Sequence, residues 1–406
     1  MNRESQTRSR DRRSLQRATA AGGACALALL VAQLAQPAHA GSYEQARRIY
    51  SRLAGVPPST TVLNMMANEI QSQPGQAGLL AAAVTATDPK YAPDFYDVTL
   101  KEFVNPWTNR NQSAFVPFND YTATVIGMIR DDVPFNTVLS ANILYTVNAP
   151  GLPPPSPAND DHYATAEADG IDFSAALQRT TQTAVYGTPA QGVAGVWTTR
   201  AGAAAYFVLG TNRAQFRFTM LNYLCHDMQT VMDNTRPTDR IRQDVARSPG
   251  GDSRVFLNNC AGCHSGMDPM AQAFAYYDFS TTSNQLVYTP GQVQPKYVKN
   301  PQNFIWGFVT PDDTWSNRWR SGPNADLGWD SSLPGSGEGA ASLGQELENT
   351  EAFANCQVVK VFQAVCLRTP SSADQTTISN IEAIFKQSNY DLKQVFQQSA
   401  TACAGS

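Results

Sequence analysis

One pentapeptide restricts this chain more than any other feature: Cys260-Ala261-Gly262-Cys263-His264. Two thiols at this spacing lie about one helical turn apart, so each can form a thioether with a vinyl group of the same haem. The imidazole that follows then falls beneath the iron as its proximal ligand. C-x-x-C-H is the c-type haem attachment spacing. It predicts one covalent haem c on Cys260 and Cys263, with His264 bound to the iron. A zinc half-site would need two further ligands at matching spacing, and there is no second C-x-x-C and no H-x-x-x-H. A thioredoxin-like dithiol would need a βαβ context that the pattern does not provide.

The N-terminus agrees with this chemistry. Arg3, Arg8, Arg10, Arg12, Arg13 and Arg17 precede an apolar run from Ala18 to Leu34, and Ala38-His39-Ala40 follows. A basic region, an apolar stretch and A-x-A read as a signal peptide, residues 1–40, cleaved after Ala40. Arg12-Arg13-Ser14-Leu15 also resembles a twin-arginine signal. Covalent haem is attached after unfolded export, so the pair is read as part of a plain basic region. Cys25 lies within the apolar run, where it is poorly placed for lipid attachment. No later segment reaches membrane-spanning length, so the product is expected to have no membrane span after cleavage. The expected location is the periplasm of a Gram-negative bacterium, or outside the cell.

Removing the six arginines and two acids of residues 1–40 takes the net charge from −4 to −8. An acidic chain of this kind argues against a general nucleic-acid binder. With 42% hydrophobic and 16% charged residues, it is also too apolar to be disordered.

Cys225, Cys356, Cys366 and Cys403 remain. Four is even and the expected compartment is oxidising, so two disulfides are predicted, with three connectivities open. Cys356 and Cys366 sit ten residues apart in one helical pattern. That is a rise of about 15 Å, too far for a mutual bond in a continuous helix.

The periodicity predicts a mainly α fold, a helical multi-segment protein with a cytochrome-c-like haem-binding region and a loop-rich insertion. Residues 1–40 are followed by an N-terminal helical region (41–150), a Pro-rich linker (151–165), the haem-binding region (166–335) and a C-terminal helical region (336–406). Ser42 to Gln45 reads as a capping box for a helix carrying Ala46, Ile49, Tyr50 and Leu53. Ser59 or Thr60 starts a second helix with Val62, Met66 and Ile70. Further helices are expected from Asp94 to Phe103, from Thr122 to Ile129 and from Arg217 to Met232, the last enclosing Cys225-His226. Ser248 to Asp252 reads as a turn into the haem motif. Ile378, Ile381 and Phe385 mark a late helical stripe, and Ser388-x-x-Asp391 caps the helix after it.

The haem motif continues as Ser265-Gly266-Met267-Asp268-Pro269, and Ala273-Phe274-Ala275-Tyr276-Tyr277-Asp278 follows. This resembles a poorly characterised group of secreted bacterial cytochrome-c-like proteins. In that group C-x-x-C-H precedes a hydrophobic-Asp-Pro element and an Ala-Phe-x-x-aromatic-Asp segment. Ala194 to Arg200 resembles the group's upstream Gly-hydrophobic-hydrophobic-Thr segment, and Leu343 to Arg368 its trailing helix. The resemblance covers roughly residues 190 to 400. It implies haem and helical architecture, and it names no substrate.

The sixth iron ligand decides what such a haem does. Three histidines lie beyond residue 40: His162, His226 and His264. His226 is the distal candidate, and His162, after the Pro-rich stretch, is expected to be solvated. Met220, Met228 and Met232 precede the motif at usable distance, whereas Met267 and Met270 follow His264 too closely to reach the opposite haem face, and Met267 is expected to pack beside the haem. Asp268 is expected to be a turn or capping residue. Tyr276 and Tyr277 are candidates for the haem edge, and Trp306, Trp315, Trp319 and Trp329 for the lining of a site. The expected function is a periplasmic monohaem cytochrome c that passes electrons to a redox partner protein. The alternatives are a haem-dependent oxidoreductase or accessory subunit with an open iron site, and a binding or scaffold protein with a structural haem. No hydrolase elbow, H-E-x-x-H or P-loop is present.

Overall fold

Helices form where apolar residues recur at three- and four-residue spacing. The computed structural model describes residues 41–237, 241–245, 253–298, 305 and 307–404. The proposed signal segment, Trp306 and the turn at 248–252 lie outside the described residues. In α1 (Ser42–Ala54) the spacing buries Ala46, Ile49, Tyr50 and Leu53. Gly55, at φ +75°, ends that helix in the left-handed region. Ser42 is the first helical residue, and its Oγ accepts from Gln71 Nε2 at 2.7 Å. Ser59 caps α2 (Thr60–Ser72) by accepting from Val62 N, and Val62, Met66 and Ile70 are buried. α3 (Gln76–Thr85) completes the first group.

The stretch expected as one helix from Asp94 is wound unevenly. Phe95–Leu100 is π-helical and runs into α4 (Lys101–Val104), and the Asp94 side chain caps nothing. α5 (Asp120–Arg130) is the buried centre of the fold, with every residue from Asp120 to Ile129 buried. It packs on β1 (Leu144–Val147), which pairs antiparallel with β2 (Leu177–Thr180). α6 (Asp161–Ala168) and α7 (Phe173–Ala176) lie between the two strands. α8 (Gln182–Tyr186) follows, then α9 (Arg200–Tyr206), whose first amides, Arg200 N and Ala201 N, donate to the Asp120 carboxylate at 2.5 and 3.0 Å.

α10 (Arg213–Tyr223) ends earlier than the sequence pattern implies. Cys225 lies at φ +58°, and residues 226–237 form turns rather than the expected helix to Met232. A disulfide joins Cys225 to Cys356, which anchors this reversal. α11 (Ser253–Asn259) leads into α12 (Ala261–Ala271), whose N-cap and first turn carry the C-x-x-C-H segment. Two small antiparallel ladders follow: β3 (Tyr277–Ser280) with β4 (Gln285–Tyr288), and β5 (Thr314–Ser316) with β6 (Ser336–Glu338).

α13 (Gly339–Glu348), α14 (Glu351–Cys366), α15 (Gln375–Gln387) and α16 (Leu392–Ala404) complete the fold. α14 is continuous through Cys356 and Cys366, so each bonds a distant partner, Cys225 and Cys403 respectively. Ile378, Ile381 and Phe385 are the buried face of α15. Asp391 Oδ1 accepts from Gln394 N in the first turn of α16. α16 packs on α14 and α15 and also on α1 and α3, so the two ends of the described chain share one core. Residues 42–404 form one compact, mainly helical unit. Among the described residues no helix is long and apolar enough to cross a membrane.

Candidate functional site

α12 begins at the attachment motif, with Cys260 at its N-cap position and Cys263 and His264 in its first turn. Both thiols are free and half-buried, whereas the other four described cysteines are paired. Cys263 Sγ lies 3.5 Å from Met228 O, and burial, then the proximity of Cys260 and Asp227, pushes its thiol pKa up. Two glycines let α12 seat closely. A Cβ on Gly262 would meet Asn234 Oδ1 at 2.8 Å, and one on Gly266 would meet Trp319 Nε1 at 1.9 Å. The backbone of the turn segment grips the same helix, with Asp233 N donating to Gly262 O and Ser265 Oγ to Asp233 O.

His264, Asp268 and Gln272 follow at four-residue intervals and share one face of α12. His264 Nδ1 lies 3.0 Å from Asp268 Oδ2, so a proton on Nδ1 points at the carboxylate and Nε2 carries the free lone pair. No hydrogen bond holds Nε2 among the described residues, and Phe256 stands edge-on to the ring with centroids 5.4 Å apart. The other Asp268 oxygen accepts from Arg213 Nε at 2.6 Å, and Arg213 Nη2 reaches Asp244 at 3.2 Å. Burial opposes ionisation of Asp268. The Arg213 charge and the hydrogen bonds from Arg213 and His264 outweigh it and hold the carboxyl well below the ordinary range. Gln272 Oε1 accepts from Arg242 Nη2 at 2.6 Å, and Arg242 is itself buried.

A cleft of ≈ 150 Å³ opens beside His264, lined also by Arg242, Phe256, Gln272, Trp315 and Arg318. Met232, which a Cβ on Gly262 would meet at 3.4 Å, is 56% exposed, and Val255 and Leu257 of α11 are 39% and 51% exposed. The residue types are those that hold a covalent haem c, two unpaired thiols one turn apart and an oriented imidazole with Nε2 open, although neither thiol lines the His264 cleft.

The structure places the other sequence candidates as follows. His162, expected to be solvated, is buried. Its Nε2 accepts from Val147 N at 3.0 Å, and its Nδ1 lies 2.7 Å from Pro153 O. It is a core residue that ties the Pro-rich stretch to β1. Asp268, expected in a turn, lies inside a helix that continues through Pro269. His226 follows the end of α10, half-buried, with Nδ1 3.4 Å from Thr230 Oγ1, and it does not line the His264 cleft. Met220, Met228, Met267 and Met270 are buried. Tyr277 is buried and stacks on Phe207, with centroids 5.2 Å apart. Trp319 is buried over Gly266, and Trp329 Nε1 donates to Trp319 O at 3.0 Å. Sequence reasoning missed Arg213, Arg242 and Gln272, as well as the role of Asp268. The available signal was the four-residue spacing of His264, Asp268 and Gln272. Comparison with protein-family models, with curated proteins and with solved structures gives no match.

Proposed function

We propose that this chain is a secreted monohaem c-type cytochrome, with haem c bound through Cys260 and Cys263 and His264 as the proximal ligand, working in periplasmic electron transfer. The observation that carries the reading is the sorting of the cysteines. Cys225, Cys356, Cys366 and Cys403 pair with one another, and the two cysteines of the C-x-x-C-H motif stay free at the start of α12. When bound, the haem supplies one-electron exchange. The chain's own residues do the rest. Asp268 fixes the tautomer and direction of His264, Arg213 holds Asp268 from α10, and Trp319 packed on Gly266 sets the helix that carries His264 and Asp268.

A second reading, a haem oxidoreductase with an open iron site, is favoured by the composition of the His264 cleft. Among the described residues lining it there is no methionine and no second histidine. The large helical scaffold, more than a simple carrier needs, points the same way.

The test is to mature the protein in a periplasm that attaches haem and to record oxidised and reduced spectra with and without carbon monoxide. A low-spin spectrum unchanged by carbon monoxide supports electron transfer. A high-spin spectrum that shifts supports the oxidoreductase. Haem that survives a denaturing gel in the Cys260→Ser, Cys263→Ser double variant would overturn the attachment.

A further inference from the structure

A second cleft, of ≈ 850 Å³, lies away from α12, between α1, α4, α10 and α14. Its walls include Phe103, Trp107 and Leu221, with Leu367 at the rim, 76% exposed. Volume and apolar lining match those of small-molecule sites, in which a few polar groups fix orientation. Two cations, Arg52 and Lys360, border the cleft against a single carboxylate, Glu102, which is exposed.

Lys360 is the unusual member. Its Nζ stands 3.9 Å from the centroid of the Trp107 ring and 5.9 Å from that of Phe103, and it donates to Asn222 O at 2.8 Å. No carboxylate lies within ion-pair distance of it among the described residues. Desolvation alone pushes its amine well below the ordinary lysine range. Arg52 is spent on a backbone carbonyl, with Nη1 3.0 Å from Cys403 O. Burial, then the neighbouring Arg48 and Arg368, lowers its pKa. An ammonium placed against apolar and aromatic walls without a counter-ion is costly unless an anion joins it.

We propose that this cleft binds an apolar monocarboxylate, with the carboxylate on Lys360 and the hydrocarbon body along Phe103, Leu221 and Leu367. The ligand supplies the missing counter-charge, and the cation–π contact with Trp107 holds the ammonium in place for it. Phosphate esters and dianions are disfavoured, because one lysine and one backbone-engaged arginine offer no bidentate clamp. The proposal uses no property of the His264 helix and stands whether or not haem is attached there.

The experiment is calorimetric titration of the full protein with decanoate, with 1-decanol as the uncharged control. Saturable 1:1 binding of decanoate is expected. Lys360→Met should weaken it at least tenfold, as befits a lost charge-assisted hydrogen bond, and should leave decanol unchanged. Leu367→Asp keeps the fold, since that side chain is exposed, and should weaken decanoate by putting a like charge at the rim. Lack of saturable decanoate binding, equal affinity for acid and alcohol, or a Lys360→Met variant that binds like the parent would each overturn the proposal. If Lys360→Met does not fold, the Leu367→Asp comparison decides, and unchanged affinity there overturns it.

Discussion

Replacing Asp268 with Asn probes the site and the fold together. The Asp268 side chain is 5% exposed and that of Arg213 20%, so both charges are largely withdrawn from water. Removing one partner of a buried ion pair costs about 3–5 kcal/mol, because the other charge is left uncompensated. Here Arg213 keeps Asp244 at 3.2 Å, and Asn retains the shape and one acceptor oxygen. The expected loss is therefore smaller, about 2–3 kcal/mol, or a fall in Tm of roughly 3–4 °C for a protein of this size. Thermal unfolding followed by near-ultraviolet dichroism measures it. The same change makes a second, independent prediction on the haem reading. A carboxylate accepting from His264 Nδ1 makes the imidazole a stronger donor and favours the oxidised iron, whereas an amide oxygen does so less. A difference of about 1–2 kcal/mol is a rise of roughly 40–80 mV in midpoint potential for a one-electron couple. Asp268→Glu, which keeps the charge, should recover most of that shift. A purely structural role would lower the Tm and leave the potential where it was. An unchanged or lower potential in the Asn variant would therefore refute the argument that Asp268 acts through His264.

Three further outcomes follow from local geometry. Glu348 is fully buried, accepts from Leu139 N at 2.8 Å and from the Ser140 hydroxyl, and burial raises its pKa to about 8. A carboxyl with a folded pKa above its unfolded value of about 4.3 loses stabilisation as pH rises between the two. Glu348→Gln should thus gain on the parent in urea midpoint from pH 5 to pH 8, and parallel pH profiles would exclude this. Gly266→Ala, which in an open helix would help by about 1 kcal/mol, should instead cost about 1–3 kcal/mol, because its Cβ meets the Trp319 indole. Equilibrium unfolding gives the sign. The disulfides close spans of 131 and 37 residues, worth about 5 and about 4 kcal/mol in chain entropy. Losing Cys225–Cys356 should therefore lower stability more than losing Cys366–Cys403, and the reverse order in denaturant would show that denatured-chain entropy does not set the ranking.

Much of the helical fold was legible in the sequence because single faces are apolar at regular spacing. α1, α2 and α15 bury the residues that the pattern picks out, and the rise of a continuous α14 rightly kept Cys356 and Cys366 from bonding each other. The misses have tertiary causes. The helical pattern of α10 runs on through Cys225, and the left-handed turn held by its disulfide stops it. Asp268 looked like a turn residue because Pro269 follows it, yet a proline near a helix end removes only one donor, and the helix runs on to Ala271. His162 reads as a surface histidine from its Pro-rich neighbourhood, and only the return of that segment to β1 supplies the two backbone partners that make burial tolerable. The thiols and imidazole of the site were readable from one motif. The carboxylate stands one turn on in the same helix and was legible only as a four-residue spacing, whereas the arginine and the tryptophan come from segments about fifty to sixty residues away, and no local pattern announces that meeting.

The covalent frame explains why such a site sits in so large a scaffold. α16 packs on α1 and α3 at the N-terminal end of the described chain, and its Cys403 is bonded to Cys366 of α14. α14 is bonded in turn through Cys356 to Cys225, at the start of the turn segment that grips α12 through Met228, Asp233 and Asn234. Two disulfides and one short segment thus tie the cysteine-bearing helix to the far helical bundle. Gly262 belongs to this joint as much as to the attachment motif, since any side chain there would drive α12 away from Asn234. A site whose ligands must keep their direction to a fraction of an ångström gains from such anchoring, because redox change is fast only when little has to reorganise. On the proposed haem reading, the disulfides serve the attachment site as well as the fold. Their reduction should loosen the grip on Cys263 before it unfolds the helices. Thiol labelling of Cys263, compared before and after mild reduction in protein without haem, distinguishes that order from simultaneous unfolding.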